Sequence, residues 1–307
     1  MRKIRIDFSD FWPGFCKTDN YFWNTLRTRF DVELHALPDF LIYSNRLNHV
    51  HRVHNCTKIF FPIESYLPDW RECDYAMTGY YLDDPRHLRL PSYVLYADPG
   101  TVVKKGEDAE AILRRKPKFC SFVVSNDNRH TRIRTQFFQR LSKYKRVDSG
   151  GRCLNNIGGP IPGGPLGKRE FLKPYKFNLA FENLSITGYT TEKIFEAMWA
   201  RCVPVYWGSS RINEEFSPRS FLNYFDFANE EALIERIIEL DRDDAKYLEV
   251  LRQPYFHGDK PSEWFDSERF LNFFERVFST KITPVSQRRR FFQLGRWIPV
   301  KKNPPRA

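Results

Sequence analysis

Glu182, Asn183, Glu192 and Lys193 stand close together in the stretch from Tyr175 to Gly208, YKFNLAFENLSITGYTTEKIFEAMWARCVPVYWG, and their types suit the handling of a phosphorylated ligand. Glu192 and Lys193 fall where a helix begins. Free backbone N–H groups and the helix dipole favour an anion there, and a lysine adds a point charge matched to phosphate. The neighbouring carboxylate has a different use. Phosphate would repel Glu192, but a ribose diol can donate two hydrogen bonds to it, as it does to the acidic residue of dinucleotide folds. A lone Glu-Lys pair is ordinarily a solvated pair on a surface helix, so the chemistry rests on the whole string.

The elements around these residues read as strand, loop, helix, strand. KFNLAF is a short apolar run that stops at the polar pair Glu182 and Asn183, and ENLSITGYT has the Ser, Thr, Asn and Gly content of a loop. Thr190 or Thr191 can cap the next helix, whose Ile194, Ala197 and Met198 share one face, and VPVYWG suits a buried parallel strand. This is a βαβ unit. Ligands of open parallel sheets lie beyond the carboxyl ends of the strands, which puts the loop from Glu182 to Lys193 at the ligand edge.

Upstream, KIRIDF, DVELHA, FLIYSN and YAMTGYY read as strands, and KIFFPIE, residues 58–64, as a strand ending on Glu64. KFCSFVVSN is a strand that ends in Ser125 and Asn126, followed by the amphipathic helix RIRTQFFQRLSKYK. Strands alternating with helices indicate an α/β chain. NNIGGPIPGGPLG is too rich in Gly and Pro for regular structure and reads as the connection between two domains. The triplet Asp241, Arg242, Asp243 has the spacing of a metal-binding Asp-x-Asp, but it interrupts helices, whereas such a site needs carboxylates at a strand end.

The chain of 307 residues is long enough for two cores, and 28 Phe and 15 Tyr exclude a disordered protein. Its 49 Lys and Arg against 38 Asp and Glu give a net charge of +11, which favours a phosphate-bearing ligand, nucleic acid or an anionic membrane without choosing among them. The basic residues are dispersed except at the C-terminal end, so no nucleic acid is expected as a partner. Six cysteines without a CxxC are a reduced, intracellular pattern with no zinc site, and the first residues contain no run apolar enough for a signal or anchor. The expected location is cytoplasmic.

Taken together, FEN, GYTTEK, the aliphatic and aromatic helix and VPVYWG resemble the signature of the alpha-1,3-fucosyltransferases, inverting enzymes that use GDP-fucose. The resemblance continues upstream in the bacterial type, where a Glu at a strand end is followed by a Pro, an Asp-Tyr pair and an Arg-x-Pro-like element; Glu64, Pro68, Asp74, Tyr75 and the LRLP run match. This chain has PIES where relatives often carry Gly before the Glu and Asn after it. The resemblance implies that Glu64 is the catalytic base, and that Ser125, Asn126, Arg134, Glu182, Asn183, Tyr189, Glu192 and Lys193 bind the donor. Arg132 is the alternative to Arg134 for the diphosphate.

The expected fold is accordingly α/β, with two Rossmann-like domains facing across a cleft in the GT-B manner: 1–150 for the acceptor, 151–280 for GDP-fucose together with the final helices, and 281–307 as a basic aromatic tail. The implied reaction is transfer of L-fucose to a glycan acceptor, with the 3-OH of GlcNAc in a lactosamine-type glycan as the first choice. No cofactor or metal is required, although a divalent metal can stimulate. A non-catalytic sugar- or nucleotide-binding protein of the same fold is the alternative. In the tail from Gln287 to Ala307, arginines and lysines interleave with Phe291, Phe292 and Trp297, a composition suited to the surface of an anionic membrane, or to packing back on the protein.

Overall fold

The protein is described by a computed structural model at residues 3–45, 49–104, 106–125 and 132–287. The chain forms two α/β units: one takes in residues up to 78, 83–88 and the chain from 268, the other 79–82 and 89–267.

The first unit contains β1 (Ile4–Ser9), α1 (Tyr21–Leu26), β2 (Val32–Leu34), β3 (Phe40–Tyr43), β4 (Thr57–Phe60), β5 (Tyr75–Thr78) and β6 (His87–Arg89). Their order in the sheet is β2-β1-β3-β4-β5-β6, and β1 pairs in parallel with both β2 and β3. Asn20 starts α1 by accepting a hydrogen bond from the Trp23 N–H at 2.9 Å, and the helix buries Phe22, Trp23 and Leu26. Ser9 lies opposite Tyr43, and Tyr43 opposite Phe60, so three strands end flush. β4 stops at Phe60 rather than running on to Glu64. Pro62 has no N–H for the ladder, and Glu64 sits in the bend that follows, where its carbonyl accepts from the Tyr66 N–H at 2.8 Å.

The second unit contains α2 (Ala109–Arg114), β7 (Lys118–Phe122), α3 (Arg132–Leu141), β8 (Val147–Ser149), α4 (Gly164–Leu172), β9 (Tyr175–Phe181), α5 (Glu192–Trp199), β10 (Val203–Trp207), α6 (Ile212–Glu215), β11 (Leu222–Asn223), α7 (Glu230–Arg242) and α8 (Asp244–Leu251). The sheet is parallel, in the order β11-β10-β9-β7-β8. Every residue of β9 is buried, as a central parallel strand covered on both faces requires. Phe177, Leu179 and Phe181 pack in one core with Phe137, Phe138 and Leu141 of α3 and Leu233, Ile237 and Leu240 of α7.

Two boundaries differ from the sequence reading. A division at 150 would cut this sheet, because β7 and β8 precede it and pair with each other and, through β7, with β9. The Gly- and Pro-rich stretch is therefore a loop inside the second unit, and its last glycines lead into α4. The final helix, α9 (Ser267–Ser279), belongs to the first unit and not to the donor-side half. Phe270 meets Tyr21 edge-on at 5.3 Å, Phe278 meets Phe30 at 5.1 Å, and the Asp74 carboxylate accepts from the Val285 N–H at 2.9 Å. Amphipathic spacing in SERFLNFFERVFST announces a buried face, but it carries no information about which sheet receives it.

Numbered from its own first strand, the second sheet runs 2-1-3-4-5, and the first five strands of the other sheet do the same. In a doubly wound sheet of that order the winding reverses between the first and third strands, and the crevice at their carboxyl ends is the ligand position. Those positions are the ends of β1 and β3 in one unit and of β7 and β9 in the other.

Candidate functional site

Glu182 is the first residue beyond β9, at the reversal point of the second sheet. Its N–H donates to the Trp207 carbonyl at 2.8 Å, and its side chain is fully buried. The carboxylate accepts from the Thr191 N–H at 2.7 Å, the Thr191 hydroxyl at 2.7 Å and the Lys193 ammonium at 3.1 Å. Thr191 holds the N-cap position of α5 without making a side-chain cap, because its hydroxyl is committed to Glu182. The carboxylate thus ties the end of β9 to the start of α5. A Cβ at Gly208 would come within 2.5 Å of the Glu182 Cγ, so the last residue of VPVYWG must be glycine.

Lys193 Nζ also donates to the Thr191 hydroxyl at 2.9 Å and lies 3.5 Å from the Glu192 carboxylate. Burial lowers the basicity of its ammonium, but Glu182 and Glu192 outweigh burial and raise the pKa above the ordinary lysine value. Lys193 is fixed as a cation. Glu192 is more open, and although burial alone would raise its pKa, the charges of Lys193 and Lys168 hold it at about 2.

A second cation reaches the same strand end from α3. Arg134 is buried and donates through Nη1 to the Asn183 side-chain oxygen at 2.8 Å, whereas Arg132 is exposed at the helix start. Of the two arginines left open by the sequence, Arg134 is the one placed beside the residue that follows Glu182. Ser125 is exposed just beyond β7, and Tyr189 is buried in the loop before α5; Asn126 lies outside the described residues.

The loop between β9 and α5 is stitched to the residues after β10. The Ser185 hydroxyl donates to the Gly208 carbonyl at 2.8 Å, the Gly188 N–H donates to the Ser209 hydroxyl at 2.9 Å, and Thr187 and Ser210 share a hydrogen bond at 2.9 Å. Gly188 has φ of +87°, and a Cβ on it would approach the Gly79 carbonyl oxygen to 2.5 Å.

A buried ion pair anchors the loop from below. Arg89 donates to the Glu215 carboxylate at 2.8 Å, which also accepts from the Tyr93 and Thr190 hydroxyls, each at 2.8 Å. The guanidinium stacks over Tyr81 and Trp264, 4.1 Å from each ring centre. Arg89 is the arginine of the LRLP run and Thr191 one of the two candidate caps of α5, so the sequence signalled both, but nothing in it singled out Glu215. Asp241 accepts from the Tyr144 hydroxyl and Lys145, both at 3.0 Å, and Asp243 caps α8 through the Lys246 N–H at 3.1 Å. Glu64, on the other unit, stands in the bend beyond β4.

Residues 113–261 match the family model for glycosyltransferase family 10 (fucosyltransferase), C-terminal part, and residues 6–96 match the alpha-(1,3)-fucosyltransferase FucT N-terminal domain. The chain belongs to glycosyltransferase family 10. Among its family-10 relatives, alpha-(1,3)-fucosyltransferase FucT of Helicobacter pylori is 31% identical over 264 residues, which is 74% of this chain and 54% of the relative. The 3-galactosyl-N-acetylglucosaminide 4-alpha-L-fucosyltransferase FUT3 of Bos taurus is 38% identical over 140 residues, 45% of this chain and 36% of the relative. The chain thus spans about half or less of the length of these curated relatives. Crystal structures of an alpha1,3-fucosyltransferase with GDP and with GDP-fucose each superpose with a TM-score of 0.75 at 26% identity, covering 92% of both chains. This family-10 chain therefore has the GT-B-like α/β fold of those structures.

Proposed function

We propose that this chain transfers L-fucose from GDP-fucose to a glycan hydroxyl with inversion at the anomeric carbon, and that the acceptor position is the 3-OH of GlcNAc in a lactosamine-type glycan. The observation that carries this reading is the meeting of two fixed cations, Lys193 on α5 and Arg134 on α3, at the end of β9, where the sheet reverses its winding. Such a position suits a nucleoside diphosphate, and the GDP and GDP-fucose of the superposed fucosyltransferase structures support the same choice.

In the proposed reaction an acceptor oxygen attacks the anomeric carbon, Glu64 takes the hydroxyl proton, and the bond from that carbon to the diphosphate breaks with both electrons going to GDP. Negative charge grows on the leaving diphosphate. Lys193, Arg134 and the first turn of α5 offset it, a role that a metal ion fills elsewhere, and so no resident metal is required. Glu182 and Thr191 are positioning residues, because their oxygens face Lys193 and each other. Glu192, with its carboxylate held ionised, remains a candidate acceptor for the ribose hydroxyls.

A transfer assay with radiolabelled GDP-fucose over a panel of glycans, with and without EDTA, tests the reading. Glu64→Gln is expected to lower turnover by about 10²- to 10⁴-fold while calorimetric binding of GDP-fucose stays unchanged. Turnover within a few-fold of wild type removes Glu64 as the base. Loss of wild-type activity in EDTA that manganese restores removes the metal-free mechanism. Donor binding without transfer to any glycan leaves a non-catalytic sugar- or nucleotide-binding protein.

A further inference from the structure

Tyr81 and Arg211 lie beside the loop that leads to Lys193, and the proposed reaction uses neither. The Tyr81 ring has two guanidinium groups stacked on it, that of Arg89 at 4.1 Å from the ring centre and that of Arg211 at 3.7 Å. Two groups so close to one ring centre cannot share a face, so the ring is a slab between two cations. Consecutive residues of α6 hold those cations. Glu214 accepts from Nε and Nη2 of Arg211, both at 2.6 Å, and Glu215 accepts from Arg89 at 2.8 Å. Trp264 meets the Tyr81 ring edge-on, with ring centres 6.2 Å apart. The Tyr81 hydroxyl is buried and makes no hydrogen bond among the described residues, so the surroundings grip the ring and not its polar tip.

The gripped ring stands against the turn at Gly188. A Cβ on Gly188 would approach Tyr81 Cδ2 to 3.0 Å and Tyr80 Cα to 3.1 Å, and one on Gly79 would approach the Gly188 carbonyl oxygen to 2.6 Å. That carbonyl accepts from the Thr190 N–H at 3.0 Å. The Ser209 hydroxyl, which takes the Gly188 N–H, also accepts from the Arg211 N–H at 3.3 Å. A glycine has no side chain to hold its own left-handed turn, so the turn depends on the wall behind it. Three residues further on, Thr191 makes the contacts to Glu182 and Lys193.

We infer that Tyr81 is a positioning residue for donor binding: clamped between Arg89 and Arg211, it backs the Gly188 turn and so fixes where Thr191 holds Lys193. The inference rests on the proposed GDP-fucose donor and deepens it.

The test uses Tyr81→Leu, Tyr81→Phe and Arg211→Gln in the full chain. Tyr81→Leu loses two cation–π contacts, one of them buried. It is expected to lower kcat/KM for GDP-fucose and calorimetric affinity for GDP by about tenfold or more, with the acceptor KM within twofold of wild type. Tyr81→Phe keeps both faces and loses only an unpaired hydroxyl, so it should match wild type within twofold. Arg211→Gln removes one contact from a half-exposed side chain and should cost about threefold in the same two donor quantities, a result that stands even where Tyr81→Leu fails to fold. Donor constants unchanged in Tyr81→Leu, or in Arg211→Gln where the leucine variant does not fold, overturn the inference, as do a loss in Tyr81→Phe equal to that in Tyr81→Leu and an equal effect on the acceptor KM. If wild type transfers to no acceptor and binds no GDP, the donor reading fails, and amide hydrogen exchange decides whether Tyr81 holds the loop. Faster exchange confined to residues 186–191 in Tyr81→Leu and absent in Tyr81→Phe supports the clamp, and exchange at the wild-type rate overturns it.

Discussion

At the scale of single residues, the site is a set of ionisable groups that fix one another's charge. Glu192 titrates at about 2 instead of the ordinary 4.5 because, against the effect of burial, Lys193 and Lys168 stabilise its carboxylate. A carboxyl depressed in the folded state stabilises the fold above its unfolded value and loses that contribution as the pH falls through the folded one. In the ligand-free protein, thermal unfolding should therefore show Glu192→Gln melting below wild type at neutral pH, with the gap narrowing as the pH falls from 4.5 toward 2. A gap that is constant over this range would show that the stabilisation is not electrostatic. Glu192 and Lys193 were legible in the sequence from their place at a helix start. The partnership of Lys193 with Glu182 was not, because it joins residues eleven apart across a loop whose path only the neighbouring strands define. Glu182, expected to contact the donor, has no exposed surface, and its carboxylate is held by Thr191 and Lys193.

At the scale of elements, the loop between β9 and α5 keeps its shape through contacts with distant parts of the chain. Thr190 hangs on Glu215, whose charge is balanced by Arg89, and both charges are almost fully buried. Removing one partner of such a pair strands the other, at a cost of about 3–5 kcal/mol. Arg89→Met is expected to destabilise the protein by this amount in denaturant unfolding and to weaken GDP-fucose binding through the displaced loop. A loss below about 1 kcal/mol would show that Glu215 is neutral without its arginine. The βαβ unit was legible from KFNLAF and VPVYWG because central parallel strands read as continuous apolar runs. The end of β4 was misjudged by four residues, since apolar character continues through Phe61 and Ile63 while Pro62 withholds the N–H that the ladder needs.

At the scale of the molecule, the chain closes its first unit with its last helix. Phe274 on α9 is fully buried against Phe270 and Phe278, and Phe→Ala at such a position costs about 3–5 kcal/mol. Phe274→Ala should lower stability by that amount, while a chain ending at Gln287 should match the full chain in unfolding, because it keeps the hydrogen bond from Val285 to Asp74. Equal stability of Phe274→Ala and wild type would show that α9 is not part of this core. The basic aromatic residues after Gln287 lie outside the described residues, and no helix among the described ones is long and apolar enough to cross a membrane. We propose for these residues the membrane-surface role that their composition suggests. The chain ending at Gln287 should lose sedimentation with anionic vesicles at low salt, and failure of the full chain to sediment would end that proposal.

The sequence by itself determined the α/β class, the loop that follows KFNLAF and the helix start that carries Glu192 and Lys193, because strand apolarity, loop composition and helix-start chemistry are local properties. Tertiary structure decided which strands share a sheet, and with that moved the division of the chain away from residue 150. It decided the sheet that receives α9, the choice of Arg134 over Arg132 beside Asn183, and the burial of Glu182. Each of these depends on strand order and register, which bring together groups tens of residues apart and leave no periodic trace in the chain.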